Sequence, residues 1–155
     1  MPIPAKVQNH LTKQKIKSEP VPHRKVFTVY DLSQTLHIKL NTIAKTVLLK
    51  VDKGYHLVVV PAHRRLDLAA IKKLLKAKKI SFASEKEMAA KLKLKPGALT
   101  PFGSLHKLSV IADKGLLKTE KMLFGAGSFT ESLRMKVKDY VKAEQPVTGS
   151  ITTKG

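Results

Sequence analysis

The sequence predicts an α+β fold: a single compact domain with a mixed, mostly antiparallel sheet flanked by helices. Three observations carry that prediction. The readable elements run helix, β-hairpin, helix, strand, helix, then further strands and a final helix, an order that is neither a βα alternation nor an all-helical bundle. A chain of 155 residues that is 43% hydrophobic can bury a sizeable core, on the scale of one domain. No linker-like stretch and no internal repeat divides residues 1–155, which read as one unit with 145–155 as a flexible tail.

Each element has its own signal. Residues 5–16 carry Val7, Leu11 and Ile16 at loose helical spacing on a basic segment. Residues 18–25 contain Pro20 and Pro22 and are expected to be extended or irregular. Thr28-x-x-Asp31 resembles a capping box with Asp in place of Glu, opening a short helix through Leu32, Leu36 and Leu40. Residues 45–51 and 55–61 are β-rich runs joined by Asp52-Lys53-Gly54, the pattern of a tight hairpin. Val58-Val59-Val60 is continuously apolar, so that strand is expected to be central and covered on both faces. Residues 67–77 place Leu68, Ile71, Leu74 and Leu75 on one helical stripe. A brief strand at 80–83 precedes Ser84-x-x-Glu87, a clean capping box for a helix with Met88, Ala89 and Leu92 turned inward. Strands are expected at 108–112, 121–124 and 133–137, with a short helix over 137–143; one or two residues of the tail are open to pairing at a sheet edge.

Composition narrows the chemistry. Thirty Lys and Arg against eleven Asp and Glu leave a formal charge of +19, an excess suited to a polyanionic partner; a merely solubilising Lys-rich surface is the alternative. The chain has no Cys, which excludes disulfides, thiolate zinc sites and Cys nucleophiles. The six His show no metal-ligand spacing, and neither Ser104 nor Ser128 sits in a nucleophile-elbow pattern, so a metal hydrolase and a Ser-His-Asp triad are both disfavoured. The longest apolar runs are far too short to span a bilayer, and residues 1–6 lack the apolar core of a signal peptide, so a cytoplasmic protein is expected. Aromatic residues make up 5% and Trp is missing, which supplies a base-stacking platform poorly and favours contact with the nucleic-acid backbone.

Two segments hold the candidate site. In Ala44-Lys45-Thr46-Val47-Leu48-Leu49 a lone cation stands where a polar turn becomes an apolar strand. Lys45 is either one of many solvated lysines or, if it faces inward there, a cation that needs a partner, which a phosphate or an ester carbonyl would provide. In Lys95-Pro96-Gly97-Ala98-Leu99-Thr100-Pro101-Phe102-Gly103, a Gly-x-x-x-Pro loop holds bare backbone groups open; it is either a tight turn and no more, or a set of fixed dipoles for acyl transfer. Gly125-Ala126-Gly127-Ser128-Phe129-Thr130 lacks a P-loop ending and reads as a turn between strands that lines a pocket.

Together these residues resemble the YbaK-type aminoacyl-tRNA deacylases, which share their fold with the editing domain inserted in bacterial prolyl-tRNA synthetases. The matching segments are 43–49, 59–62, 67–75, 95–103 and 125–128, and the resemblance spans about residues 20–144. It implies an ester hydrolase that removes a wrong amino acid from tRNA, a trans-editing enzyme, with no cofactor, no metal and no covalent intermediate. The substrate's ribose hydroxyl and a positioned water would do the chemistry. Lys45 would anchor the terminal adenosine, and the loop at 97–101 would shape the amino-acid pocket. The implied catalytic set is Lys45, Gly97, Thr100 and Pro101; the substrate-binding set is His23, Ala98, Leu99, Gly127, Ser128 and Phe129. The implied partners are mischarged tRNA and an aminoacyl-tRNA synthetase, with no membrane, and a monomer is expected. A non-catalytic tRNA-binding or synthetase-associated module of the same fold is the alternative. Phe129 departs from the several members that place a His in this turn, and the Tyr found near the active site of some members falls near Val21, with His23 close by.

Overall fold

The hairpin expected from the middle of the sequence is the spine of the molecule. The structure, a computed structural model, describes residues 3–93 and 99–154. In chain order its elements are α1 (Ala5–Lys13), β1 (Ser18–Pro22), α2 (Val29–Leu36), β2 (Ala44–Val51), β3 (Gly54–Pro61), β4 (Arg64–Leu66), α3 (Leu68–Leu75), β5 (Ile80–Phe82), α4 (Glu85–Leu92), β6 (Ser109–Asp113), β7 (Lys121–Gly125), β8 (Glu131–Lys136), α5 (Val137–Glu144), β9 (Val147–Gly149) and β10 (Thr152–Lys154). Five strands in the order β5-β2-β3-β6-β9 form the main sheet, β1-β8-β7 form a second, and β4 pairs with β10. β6 lies parallel to both β3 and β9 while the other pairings are antiparallel, so the main sheet is mixed, with two pairings of each kind, and antiparallel pairing predominates over the three sheets together, as expected.

The apolar run in β3 is central, with β2 on one side and β6 on the other. Successive strand residues point to opposite faces, so one run feeds two cores. Leu57 and Val59 join the larger core with Val7 of α1, Leu92 of α4 and Tyr140 of α5. Val58 and Val60 pack with Ile71 of α3. Leu57 to Val60 are completely buried.

Local signals set the helix ends. Thr28 Oγ1 accepts from the Asp31 amide at 3.1 Å, but His37 adopts a left-handed conformation (φ 56°) and stops α2 after Leu36. Leu40 therefore falls in a separate 3-10 turn (Leu40–Thr42) rather than in the helix expected to reach it. Ser84 and Glu87 form the full reciprocal capping box on α4. The segment expected to be extended, 18–25, contributes β1, which pairs with β8 from Ser18↔Met135 to Pro22↔Glu131. Both prolines tolerate this because β1 is an edge strand.

The segment 145–155, expected to be a tail, is largely structured in the described residues. β9 continues the main sheet beside β6, β10 pairs with β4, and Ile151 between them is buried among Val58, Val60 and Ile71. Its polar, Gly-containing composition hid one buried anchor flanked by two three-residue strands. The Asp113 carboxylate completes the closure by accepting from the amides of Ile151 at 3.0 Å and Gly115 at 2.9 Å.

A second polar clamp joins three elements. Ser104, in the 3-10 turn Gly103–His106, donates from its hydroxyl to Glu144 Oε2 at 2.5 Å and from its amide to Oε1 at 2.9 Å. His10 Nε2 of α1 lies 3.1 Å from the same hydroxyl and 3.5 Å from the same carboxylate. The carboxylate grips the serine itself, so the three residues form a structural tie and not a relay for a nucleophile.

Candidate functional site

β5 covers β2 only at Leu49, Lys50 and Val51, leaving the Lys45–Thr46–Val47 half of β2 with a bare outer edge. The second sheet and the start of α2 approach that edge, and a parallel bridge between Ile43 and Leu123 ties the two sheets at this point. A cavity of about 300 Å³ opens between them. Lys45 and Thr46 form one wall; residues from Val26 to Tyr30 form another; His23, Leu99, Gly125, Ser128 and Ser132 close it.

Lys45 does not face inward as expected. It lies on the bare edge, its side chain exposed, and no described residue offers it a hydrogen bond or a carboxylate. Its neighbour Thr46 turns toward the larger core, and the Thr46 hydroxyl is buried with no hydrogen-bond partner among the described residues. A buried hydroxyl in this state is costly. Adjacent strand residues thus present a cation and an unsatisfied hydroxyl to one cavity.

His23 is held from both sides. Its Nδ1 is 2.8 Å from the carbonyl of Arg24, which can only accept, so Nδ1 carries the proton. Nε2 lies 2.9 Å from the buried Ser132 hydroxyl. The two contacts together fix the orientation of the ring. Ser128 Oγ accepts from the amides of Thr130 at 3.1 Å and Glu131 at 3.2 Å, shaping the turn that enters β8. Gly125 is required by contact: a Cβ there would stand 2.4 Å from the Leu99 carbonyl oxygen, so only glycine lets the segment at Leu99 pass this close.

Of the site expected from sequence, the structure brings Lys45, His23, Leu99 and Ser128 to one cavity. Gly97 and Ala98 lie outside the described residues. Thr100 and Pro101 turn into the protein. The Thr100 hydroxyl is 3.4 Å from the Phe102 amide and 3.5 Å from His106 Nε2, and the Pro101 carbonyl accepts from the Tyr140 hydroxyl at 2.6 Å. Burial, with Glu144 nearby, pushes the Tyr140 hydroxyl well above its ordinary pKa, so it stays a donor. Gly127 takes a left-handed backbone (φ 78°) against Pro4. Phe129 is 7% exposed and packs its ring 4.9 Å from that of Phe27, which itself lines the cavity.

Sequence reasoning passed over Thr46, Gly125, Ser132, Phe27 and Tyr30 as site residues. Thr46 and Gly125 stood inside motifs already singled out. Ser132 carried no signal, because its partner lies more than a hundred positions away. Phe27 and Tyr30 were masked by the low aromatic content, yet both are more than half exposed at the cavity mouth.

No carboxylate is among the described residues that line the cavity, and no group of three His, Asp or Glu that could hold a metal occurs among the described residues. One unpaired cation, neutral hydroxyls and an apolar wall suit an electron-rich group: an ester carbonyl or a phosphate.

The fold and this cavity together define an α+β domain with a cleft at a sheet edge, lined among the described residues by one lysine and no carboxylate. Comparison with known proteins makes the class specific. The family model of the aminoacyl-tRNA editing domain matches residues 23–143, and the chain belongs to that family. It is 31% identical over 113 residues to the prolyl-tRNA editing protein ProX of Acetoanaerobium sticklandii, covering 69% of each chain. It is 28% identical over 108 residues to the proline–tRNA ligase of Bacillus velezensis, covering 70% of this chain and 19% of the ligase. Two solved structures share its fold. A hypothetical protein superposes with a TM-score of 0.88 at 20% identity, covering 96% of this chain and 99% of the other. A candidate trans-editing enzyme for prolyl-tRNA synthetase gives 0.84 at 20% identity, covering 99% and 98%.

Proposed function

We propose that the protein is a trans-editing hydrolase that cleaves the ester of mischarged aminoacyl-tRNA, with the cavity at the bare edge of β2 as its active site. Membership of the editing family supports the reaction. The observation that carries the site is the convergence of Lys45, Thr46, His23, Ser128 and the Leu99 backbone on one cavity without an acidic side chain among its described lining.

The reaction adds water to the ester carbonyl carbon and breaks that carbon's bond to the ribose oxygen. The oxygen leaves as a hydroxyl, and free amino acid and tRNA result. Lys45 anchors the electron-rich adenosine end, since an exposed cation without a counter-ion has its charge available for a ligand. The Thr46 hydroxyl gains a partner when the substrate arrives, which favours the bound state. Ser132 holds His23 in place as one wall of the site. Phe27 and Tyr30 cover the mouth and limit the access of bulk water. The family's synthetase-inserted members make a prolyl-tRNA synthetase the natural functional neighbour, and the cytoplasm, where tRNA is charged and used, the place of action. No helix among the described residues is long and apolar enough to cross a membrane.

The test is deacylation of a panel of mischarged tRNAs, starting with tRNA-Pro carrying Ala, Cys or Ser. Release of one of these amino acids, lost in Lys45→Ala, is expected. Tight binding of the same tRNAs with no release would replace the enzyme by a tRNA-binding module.

A further inference from the structure

The cavity that holds Lys45 does not stand alone. Tyr30 and Lys45 also line a second, larger cavity of about 640 Å³, which runs over the other face of β2 and β3. His63 and Arg64 line that second cavity and also a third, of about 400 Å³, beneath β4 and β10. Neighbouring cavities share these lining residues, so the three lie side by side along one path from the site, a trough in outline.

The trough changes character along its length. The second cavity has an apolar floor of Val47, Val60 and Leu66, with Tyr30 and Phe82 standing over it. Both rings are more than half exposed, at 58% and 57%. Lys45, Arg64 and Arg65 rim it, and no acidic residue is among the described residues that line it. The third cavity is polar and adds Lys114 and Lys118, both exposed. Its one acidic lining residue, Asp113, already receives two backbone amides. Arg64 donates from Nε to Thr152 Oγ1 at 3.1 Å and from Nη2 to the Thr152 carbonyl at 3.3 Å. Neutral acceptors thus fix the guanidinium in place while leaving its charge uncompensated by any described residue.

We propose that this trough binds the single-stranded 3′ end of the RNA: the nucleotides that precede the terminal adenosine stack their bases on Tyr30 and Phe82 and lay their phosphates against Arg64, Lys114 and Lys118. The inference rests on the editing reading for the identity of the terminal adenosine, but its own support is the juxtaposition of exposed rings with a one-sign rim. That pairing is how proteins hold unpaired strands, since every base has a face to stack and every linkage a charge to neutralise. A rim of one sign favours a polyanion over a protein surface, which carries charges of both signs, and duplex RNA would offer no free base faces. The low aromatic content of the sequence therefore misleads, because three of its few rings, Phe27, Tyr30 and Phe82, are exposed along this path.

Fluorescence anisotropy with a labelled single-stranded RNA ending in C-C-A tests this without reference to catalysis. Phe82→Ala, an exposed edge position, is expected to weaken binding about tenfold, the loss of one stacked base. Lys114→Ala with Lys118→Ala is expected to reduce the slope of log affinity against log salt by about 1, as two phosphate contacts on a single strand disappear. Melting curves confirm that both variants are folded. Unchanged affinity and salt slope in the folded variants, or equal affinity of the wild type for a blunt duplex, would overturn the trough. Failure of the wild type to release any amino acid, with these binding losses intact, would overturn the hydrolase reading and leave the trough standing.

Discussion

Two polar clusters in this protein lie at opposite extremes of saturation. Around Ser104, the hydroxyl, an amide, the Glu144 carboxylate and the His10 ring satisfy one another inside the protein. Around Lys45, the ammonium has no partner among the described residues and the Thr46 hydroxyl is buried without one. The first cluster closes three elements on each other and gains stability from doing so. The second leaves interactions unmade that a ligand can complete, a state that costs stability. Substitutions in the two regions should accordingly separate folding from function.

The largest effect is expected just behind the open cluster. Phe129→Ala removes a nearly buried ring packed on Phe27, at a cost of about 3 kcal/mol of stability, with the set of accepted amino acids unchanged. Thermal melting and a deacylation panel on one preparation check both halves. A widened amino-acid set would make the ring part of the pocket and blur the comparison. Lys45→Ala tests the open cluster directly. It should lower deacylation about ten- to a hundredfold, the worth of one charge-assisted contact, with the melting temperature unmoved. Full activity in the folded variant would remove Lys45 from the site. In the saturated cluster the signs reverse. Glu144→Gln should cost about 1–2 kcal/mol of stability by weakening both bonds from Ser104, with kcat/KM per folded molecule retained.

The same contrast explains what was legible in the sequence. Short-range features could be read directly: Ser84 with Glu87, Thr28 with Asp31, the hairpin turn and the central run Val58–Val60 all depend on neighbours within a few positions. Lys45 was legible because it interrupts an apolar pattern, although its orientation was not: that follows from how far β5 extends along β2, a tertiary fact. Ser132 against His23, and His10 against Ser104 and Glu144, join residues far apart in the chain and left no local trace. The strands at β9 and β10 escaped for a related reason. Three residues are too few to show a period, and the burial of Ile151 depends on the sheet it meets.

The smallest expected effect is a pH dependence that belongs to the saturated region. His106 follows Ser104 in the same 3-10 turn, and its pKa is lowered to about 4 by burial, with the positive charges of Lys6 and His10 adding to the shift. In the unfolded chain the ring titrates near its ordinary 6.5. Between those values the unfolded state binds a proton that the folded state refuses, so ν for the unfolded state exceeds that for the native one and stability rises with pH. The protein should therefore be at full stability, with respect to this group, above about pH 6.5 and lose it as the pH falls toward 4, with no further change from His106 below that. The ring is only partly buried, so solvent screening reduces the whole excursion to about 1 kcal/mol. Urea unfolding at several pH values between 4 and 7 measures it, and His106→Asn should flatten the curve in that window while leaving deacylation at neutral pH unaltered. A curve equally steep in His106→Asn would assign the loss to other groups.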